Sequence, residues 1–346
     1  MTERTAMRLE HCHERLKRHA DVLPAPGPHE LLLEVLACGV CRTDLHIMDC
    51  EVPARLPIVP GHEIVGRILA TGAQVRGLAP GQRVGVPWLG GTCGVCRFCR
   101  SGHENLCDAP VFTGCDRDGG YASHVLADHR FCLPIPARYG DVEAAPLLCA
   151  GLIGWRALHM AGEAQALGLY GFGAAAHIIA QLAVAQGRRV HAFTRPWDVP
   201  TQEFARRLGC AWAGGSDEPP PEPLDAALVF APDGALVPRA LRGLAKGGRV
   251  VCAGIHMTDI PAFPYAALWG ERSIVSVANL TRRDGDSFMQ AIEQYPVKIV
   301  TEAHDLLDAQ AALDRLRSGA VQGAAVLVPN LKSGLKSGLK RRGKTR

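Results

Sequence analysis

Leu169-Tyr170-Gly171-Phe172-Gly173-Ala174-Ala175-Ala176-His177 sits between an apolar run, Leu167–Tyr170, and the helical pattern Ala174–Gln186. It reads as strand, tight turn and helix start. The same alternation continues outward, with strand candidates Arg189–Thr194, Ala226–Phe230, Arg249–Ala253 and Ser273–Val277 separated by helix candidates Thr201–Leu208, with Thr201 as N-cap, and Gly234–Ala245. Alternation of this kind builds a doubly wound parallel sheet. Upstream the texture differs. Short apolar runs at Leu31–Leu36, Ile64–Ala70, Arg83–Val86 and Tyr121–Ala127, punctuated by Gly and Pro, read as a compact β domain. A single helix is expected over Ala144–Ala161, joining the two halves, and another near Asp284–Gln294.

The 346 residues suit two domains, and 38 glycines and 24 prolines imply many turns. The net charge of +4 leaves the folded body near neutral, because seven Lys or Arg fall in the last fifteen residues. That excludes a global bias toward nucleic acid or an anionic membrane. The basic tail 331–346, a Leu-Lys-Ser-Gly repeat, is expected to be disordered. Charges at Glu3, Arg4, Arg8, Glu10 and Glu14 interrupt any signal-peptide core, so thirteen cysteines are expected to be reduced in the cytoplasm. Of these, Cys12, Cys38, Cys50, Cys115, Cys132, Cys210 and Cys252 are expected to be small buried side chains without partners. His11, Cys12, His13 and His19 are expected to lie on a surface hairpin rather than on a metal.

Cys93-Gly-Val-Cys96-Arg-Phe-Cys99 followed by Cys107 places four thiolates within fifteen residues, the spacing of a closed structural zinc site. Such a loop buries little apolar surface, and metal binding worth roughly 10–16 kcal/mol would order it. A second set is dispersed: Gly39-Val-Cys41-Arg42-Thr43-Asp44-Leu-His46, Gly61-His62-Glu63 and Leu148-Cys149-Ala-Gly151. Cys41, His62 and Cys149 offer two thiolates and an imidazole, leaving one tetrahedral position open as a catalytic zinc does.

These motifs, in this order, resemble those of the zinc-dependent medium-chain alcohol dehydrogenases, and the resemblance runs from about Glu30 to Pro329. It implies an α/β chain in which a GroES-like β-barrel catalytic domain (1–150, with a structural zinc lobe at 93–107) is joined to a Rossmann domain (151–294). Residues 295–330 would return to the barrel. It implies two zinc ions: Cys93, Cys96, Cys99 and Cys107 around one, and Cys41, His62 and Cys149 around the catalytic one, with Glu63 as an alternative fourth ligand. Asp44 would orient His62; Thr43 would bond the substrate oxygen and His46 would pass its proton to solvent. Met48 and Trp88 would line the pocket, favouring small primary alcohols and aldehydes. Polyols, threonine and formaldehyde adducts remain alternatives, as does, more distantly, a zinc-stabilised binding protein.

Gly171-x-Gly173-x-x-Ala176 fits the dinucleotide fingerprint, with Gly171 for the turn, Gly173 for close approach of a pyrophosphate and Ala174 opening the helix. Arg42 would reach the pyrophosphate from the barrel. The next strand ends at Thr194-Arg195 instead of a carboxylate, which favours NADP over NAD. Ala231, Gly254 and Ala278, at the ends of later strands, are further expected contacts. A homo-oligomer, dimer or tetramer, is expected from the family.

Overall fold

The computed structural model describes residues 1–329 and Leu331; the rest of the basic tail lies outside the described residues. The chain opens with an antiparallel hairpin, β1 (Thr2–Arg8) and β2 (Lys17–Leu23), whose turn carries His11, Cys12 and His13. Then follow β3 (Glu30–Val40), helix α1 (Arg42–Met48), β4 (Ile64–Thr71), β5 (Arg83–Val86) and β6 (Leu89–Gly91). A short helix α2 (Arg97–Arg100) lies in the cysteine loop, before β7 (Val111–Phe112), β8 (His124–Asp128) and β9 (Leu133–Pro134).

The second half begins with α3 (Asp141–Ala144) and α4 (Ala150–Met160). It runs on through β10 (Ala166–Tyr170), α5 (Ala174–Ala185), β11 (Arg189–Thr194), α6 (Val199–Arg207), β12 (Trp212–Gly215) and β13 (Leu224–Val229). Next come α7 (Leu236–Arg242), β14 (Leu244–Cys252), α8 (Tyr265–Leu268), β15 (Ser273–Ser276) and α9 (Arg282–Gln294). The chain then adds β16 (Thr301–Asp305), α10 (Ala309–Arg317) and β17 (Ala324–Val328).

Two large sheets result. One is parallel and six-stranded, in the order β12-β11-β10-β13-β14-β15, so the strand order reverses between β10 and β13. All five residues of β10 are buried, the mark of a strand covered on both faces. The other has seven strands, ordered β16-β17-β3-β4-β5-β9 with β8 on β3, so the last two strands of the chain complete the sheet that the first half begins. Its central pairing is antiparallel, with Ala37 opposite Val65. The largest core cluster crosses between the halves, joining Ala37, Val65 and Leu133 to Leu147, Leu152 and Ile179. The two sheets therefore share a packed wall.

Several expectations need correction. The helix over Ala144–Ala161 is broken. Residues Ala145–Leu148 form a 3-10 turn around Pro146, and Cys149, at φ −132° and ψ −68°, interrupts the helical path before α4. Pro146 withholds the N–H that would extend α3 by bonding to the Val142 carbonyl, and the path tightens there into the 3-10 turn. Helix α6 starts earlier than expected, capped by the Asp198 side chain, which accepts from the Thr201 N–H at 3.2 Å; Thr201 lies inside the helix. Strand β12 escaped the sequence reading because its two glycines interrupt any apolar alternation. Cys12 and Cys50 are neither buried nor unpaired: they form a disulfide, with Cα atoms 5.7 Å apart, tying the hairpin turn to the end of α1.

Candidate active site

Cys41 follows β3 directly and caps α1. Its N–H donates to Asp44 Oδ2 at 2.9 Å, closing a capping box that fixes the first turn of the helix. Asp44 is fully buried and also accepts from the Gly61 N–H at 3.2 Å and the Tyr121 hydroxyl at 3.0 Å. One carboxylate thereby pins three segments distant in sequence. His62 Nδ1 lies 3.5 Å from Asp44 Oδ1. Gly61, at φ +98°, has no room for a side chain: a Cβ there would meet the Tyr121 ring at 2.4 Å. Gly39 serves the site differently. A Cβ on it would fall 1.8 Å from Glu63 Oε2, so its bare backbone leaves space for that carboxylate.

The break at Cys149 turns its thiol toward Cys41, with the sulfurs 3.7 Å apart. Two thiolates on one tetrahedral zinc, at about 2.3 Å each, stand about 3.8 Å apart. The donor atoms of Cys41, His62, Glu63 and Cys149 all lie within 4.8 Å of one another. Both ring nitrogens of His62 are buried with no hydrogen-bond partner among the described residues, and a cation would satisfy one of them.

The electrostatics agree. Hydrogen bonding from Cys149, with help from His62, holds the Cys41 thiol well below its usual range, and the same contact pushes Cys149 well up. Burial works against charge on His62, yet Asp44 and Cys41 hold it well above its ordinary value. Desolvation and the Cys41 charge push Glu63 well up.

The four-cysteine lobe gathers as well. Cys93, Cys96, Cys99 and Cys107 bring their sulfurs within 4.8 Å of one another. Backbone amides aim at the sulfurs: Cys93 N to Cys107 Sγ at 3.3 Å, Cys96 N to Cys93 Sγ at 3.4 Å and Ala109 N to Cys107 Sγ at 3.4 Å. Amide donors of this kind suit thiolates.

Around the first centre, Thr43 is buried with its hydroxyl 3.6 Å from Cys41 Sγ. His46 stands one turn further along α1, bonded through Nδ1 to the Glu51 carboxylate, while its Nε2 is buried and unpartnered. Its ring packs on His256 at a centroid separation of 4.6 Å. Sequence reading missed Glu51 and Tyr121, because no spacing rule links them to the motif; His256, expected to be structural or solvent-exposed, is exposed and packs against His46. Trp88 sits with its ring 4.9 Å from that of His62 and stacked on Phe112 at 4.8 Å. Met48 packs into the core of the first half, only 5% exposed, and offers little surface to a ligand.

The parallel sheet supplies a cleft at its reversal point, where ligands bind open α/β sheets. Gly171, at φ +89°, lies so close to Ala231 that a Cβ would be 2.8 Å from its N, and a Cβ on Gly254 would be 3.0 Å from Ala231 O. Gly173, exposed just before α5, has open space where its Cβ would be, as a pyrophosphate seat requires. Ala174 opens the helix and Ala176 is fully buried, so its methyl is accommodated. Arg42 and Arg195 are both exposed, and Ala278 is exposed beyond β15. Thr194 is different: its hydroxyl donates to Arg195 O at 2.9 Å and it is 3% exposed, so it is spent on the fold.

Residues 27–137 match the alcohol dehydrogenase GroES-like domain. A probable alcohol dehydrogenase, AdhA, of Mycobacterium tuberculosis is 45% identical over 322 residues, 90% of this chain and 92% of that one. A cobalt- and zinc-bound thermostable alcohol dehydrogenase from Pyrobaculum aerophilum superposes with a TM-score of 0.86 at 25% identity, covering 94% of this chain and all of the other (100%). Acetophenone reductase from Geotrichum candidum, solved with NAD, gives 0.84 at 26% identity, covering 94% and 97%. A GroES-like half carrying a convergent Cys-His-Glu-Cys cluster, set against a doubly wound sheet and matched to these relatives over nearly its whole length, makes this chain an oxidoreductase of the zinc-dependent medium-chain alcohol dehydrogenase family.

Proposed function

We propose that the chain binds two zinc ions and transfers hydride between a small primary alcohol, or its aldehyde, and NADP(H). The observation that carries this reading is the Cys41–His62–Glu63–Cys149 cluster with an unpartnered, buried His62 Nε2. Cys41, His62 and Cys149 would hold the catalytic ion with Glu63 as exchangeable fourth donor, and Cys93, Cys96, Cys99 and Cys107 the structural one. Zinc bound in the first site supplies Lewis acidity, lowering the pKa of a hydroxyl or polarising a carbonyl. NADP(H) supplies the hydride acceptor or donor. Asp44 fixes the His62 ring. Thr43 and His46, three residues apart, share one face of α1. The Thr43 hydroxyl can accept a proton from the substrate oxygen while donating its own. Glu51 holds His46 Nδ1, which leaves Nε2 as the atom that receives and returns a proton. Metal analysis, combined with NADPH oxidation against a panel of aldehydes, tests the whole reading; a chain with no bound zinc and no aldehyde reduction would overturn it.

For the cofactor, Gly171, Gly173, Ala174 and Ala176 would cradle the pyrophosphate with Arg42, and Ala231, Gly254 and Ala278 would line the cleft. With the Thr194 hydroxyl committed, the NADP preference rests on exposed Arg195 and on the absence of a carboxylate at the end of β11. Arg195→Asp is expected to lower kcat/KM with NADP by roughly 10–100-fold, the worth of one charge-assisted contact, and to raise it with NAD. Steady-state kinetics with both cofactors check this.

Trp88 narrows the space beside His62. Trp88→Ala should raise kcat/KM for branched or aromatic alcohols by about tenfold relative to ethanol, within the 1–3 kcal/mol that a filled pocket discriminates. An unchanged ranking would return polyols, threonine and formaldehyde adducts to equal standing. We place the enzyme in the cytoplasm, because, apart from the Cys12–Cys50 pair, the eleven other cysteines are free thiols, as a reducing compartment keeps them. No helix among the described residues is long and apolar enough to cross a membrane. A homo-oligomer is supported by β15, the edge strand of the parallel sheet, which is preceded by exposed Tyr265 and Trp269.

A further inference from the structure

The four-cysteine lobe does more than close on itself. Its segment after Cys99 contains Glu104 and Asn105, both buried although polar, and both reach across to the other half of the molecule. Glu104 accepts from the Arg282 backbone N–H at 2.7 Å and from the guanidinium Nε and Nη2 at 3.0 and 2.6 Å. The same guanidinium lies 5.0 Å over the Phe131 ring, so its plane is fixed on two sides. Asn105 Nδ2 donates to Ala278 O at 2.8 Å. Together these contacts bracket residues 278–282, the turn between the last parallel strand and α9.

That turn follows the C-terminal end of β15, on the same end of the parallel sheet as Gly171, Ala231 and Gly254. It holds Asn279 at φ +58°, a left-handed conformation that costs a non-glycine residue energy unless its surroundings impose it. Among the described residues, both polar atoms of the Asn279 amide are buried with no hydrogen-bond partner, and so is Asn105 Oδ1. Unspent amide groups beside a ligand cleft have their donors and acceptors reserved for something the protein itself does not supply. The contacts continue inward: Arg156 of α4 pairs with Asp284 of α9 at 2.6 Å, and Cys149 directly precedes α4 as its N-cap.

We infer that Glu104 and Asn105 are positioning residues for the dinucleotide, holding the 278–282 turn in its cofactor-binding shape, so that affinity for NADP(H) depends on an ordered four-cysteine lobe. This rests on the reading above that the lobe holds zinc and the cleft holds NADP(H). The lobe is then a strut between the halves as well as a stabiliser of its own loop.

The test uses the full-length, metal-loaded enzyme and three variants, Glu104→Ala, Asn105→Ala and the milder Arg282→Lys, which keeps the charge but loses the fork. Bound metal is counted, the melting temperature is recorded, and NADPH is titrated by its fluorescence. In each folded variant we expect two metal ions per chain, a Kd for NADPH raised about tenfold, and a KM for the cofactor raised with kcat at saturation changed less than about twofold. Equal NADPH affinity in all three variants overturns the inference. A parallel loss of affinity for alcohol also overturns it, since that would report general loosening. A parent enzyme with only one metal ion would sink the two-zinc reading instead, and the variant titrations would still decide the role of Glu104 and Asn105.

Discussion

Cys149→Ala should lower kcat/KM by at least about a thousandfold and reduce bound zinc from two ions per chain to one. Removing one thiolate leaves Cys41, His62 and Glu63 to hold the ion. The Lewis acidity at stake is worth several kcal/mol of barrier, and about 4 kcal/mol corresponds to three orders of magnitude. The fold should survive, because Cys149 sits at a helix break where no backbone path has to change. Metal analysis by mass spectrometry and circular dichroism separate the two effects. A variant that retains two ions and near-parental activity would show that the three distant donors do not form one catalytic centre. Removing a cysteine of the lobe should have the opposite signature, with lost stability outweighing lost chemistry, because there the metal replaces a missing apolar core.

The second large effect belongs to Asp44. Its carboxylate, with no solvent exposure, accepts from Cys41 N, Gly61 N and Tyr121 Oη. Asp44→Ala leaves these donors buried and unpaired, and should destabilise the fold by about 3–5 kcal/mol. Because the same side chain faces His62 Nδ1, zinc affinity should also fall by roughly 10–100-fold. Asp44→Asn is the informative companion: its amide nitrogen meets donors, but it keeps one acceptor oxygen and the side-chain volume, so stability should fall less than in the alanine variant. Denaturant unfolding and competition with a chelator measure the two quantities. A loss of zinc affinity without a loss of stability would mean that Asp44 acts on His62 alone and not as the pin of three segments.

Much of the site was legible as spacing. Gly-Val-Cys-Arg-Thr-Asp-x-His, Gly-His-Glu and the cysteine ladder carry their ligands in short local patterns, because metal coordination restricts residue type and separation together. The glycine loop was legible because a positive φ and close backbone approach leave few residue choices. What stayed hidden depended on partners remote in sequence. Tyr121 lies 77 residues from Asp44, and Glu104 lies 178 residues from Arg282, with nothing local to mark either as paired. Thr194 shows the converse error. Its place at a strand end suggested a ligand contact, whereas backbone carbonyls had already claimed its hydroxyl. The Cys12–Cys50 disulfide was concealed for the same reason, since only the hairpin turn brings Cys12 to the end of α1.

By itself, the sequence determined the two textures of the chain, the candidate metal donors and the place of the glycine loop, because periodicity, thiolate spacing and glycine conformation are local properties. Only the tertiary structure decided that Cys41, His62, Glu63 and Cys149 share a single centre. It alone decided that the chain's last strands complete its first sheet and that the cysteine lobe leans on the 278–282 turn of the other half. Those are contacts between segments far apart in the chain, as Ala325 opposite Val40 shows, and they are fixed by the packing of whole elements, which no short stretch of residues encodes.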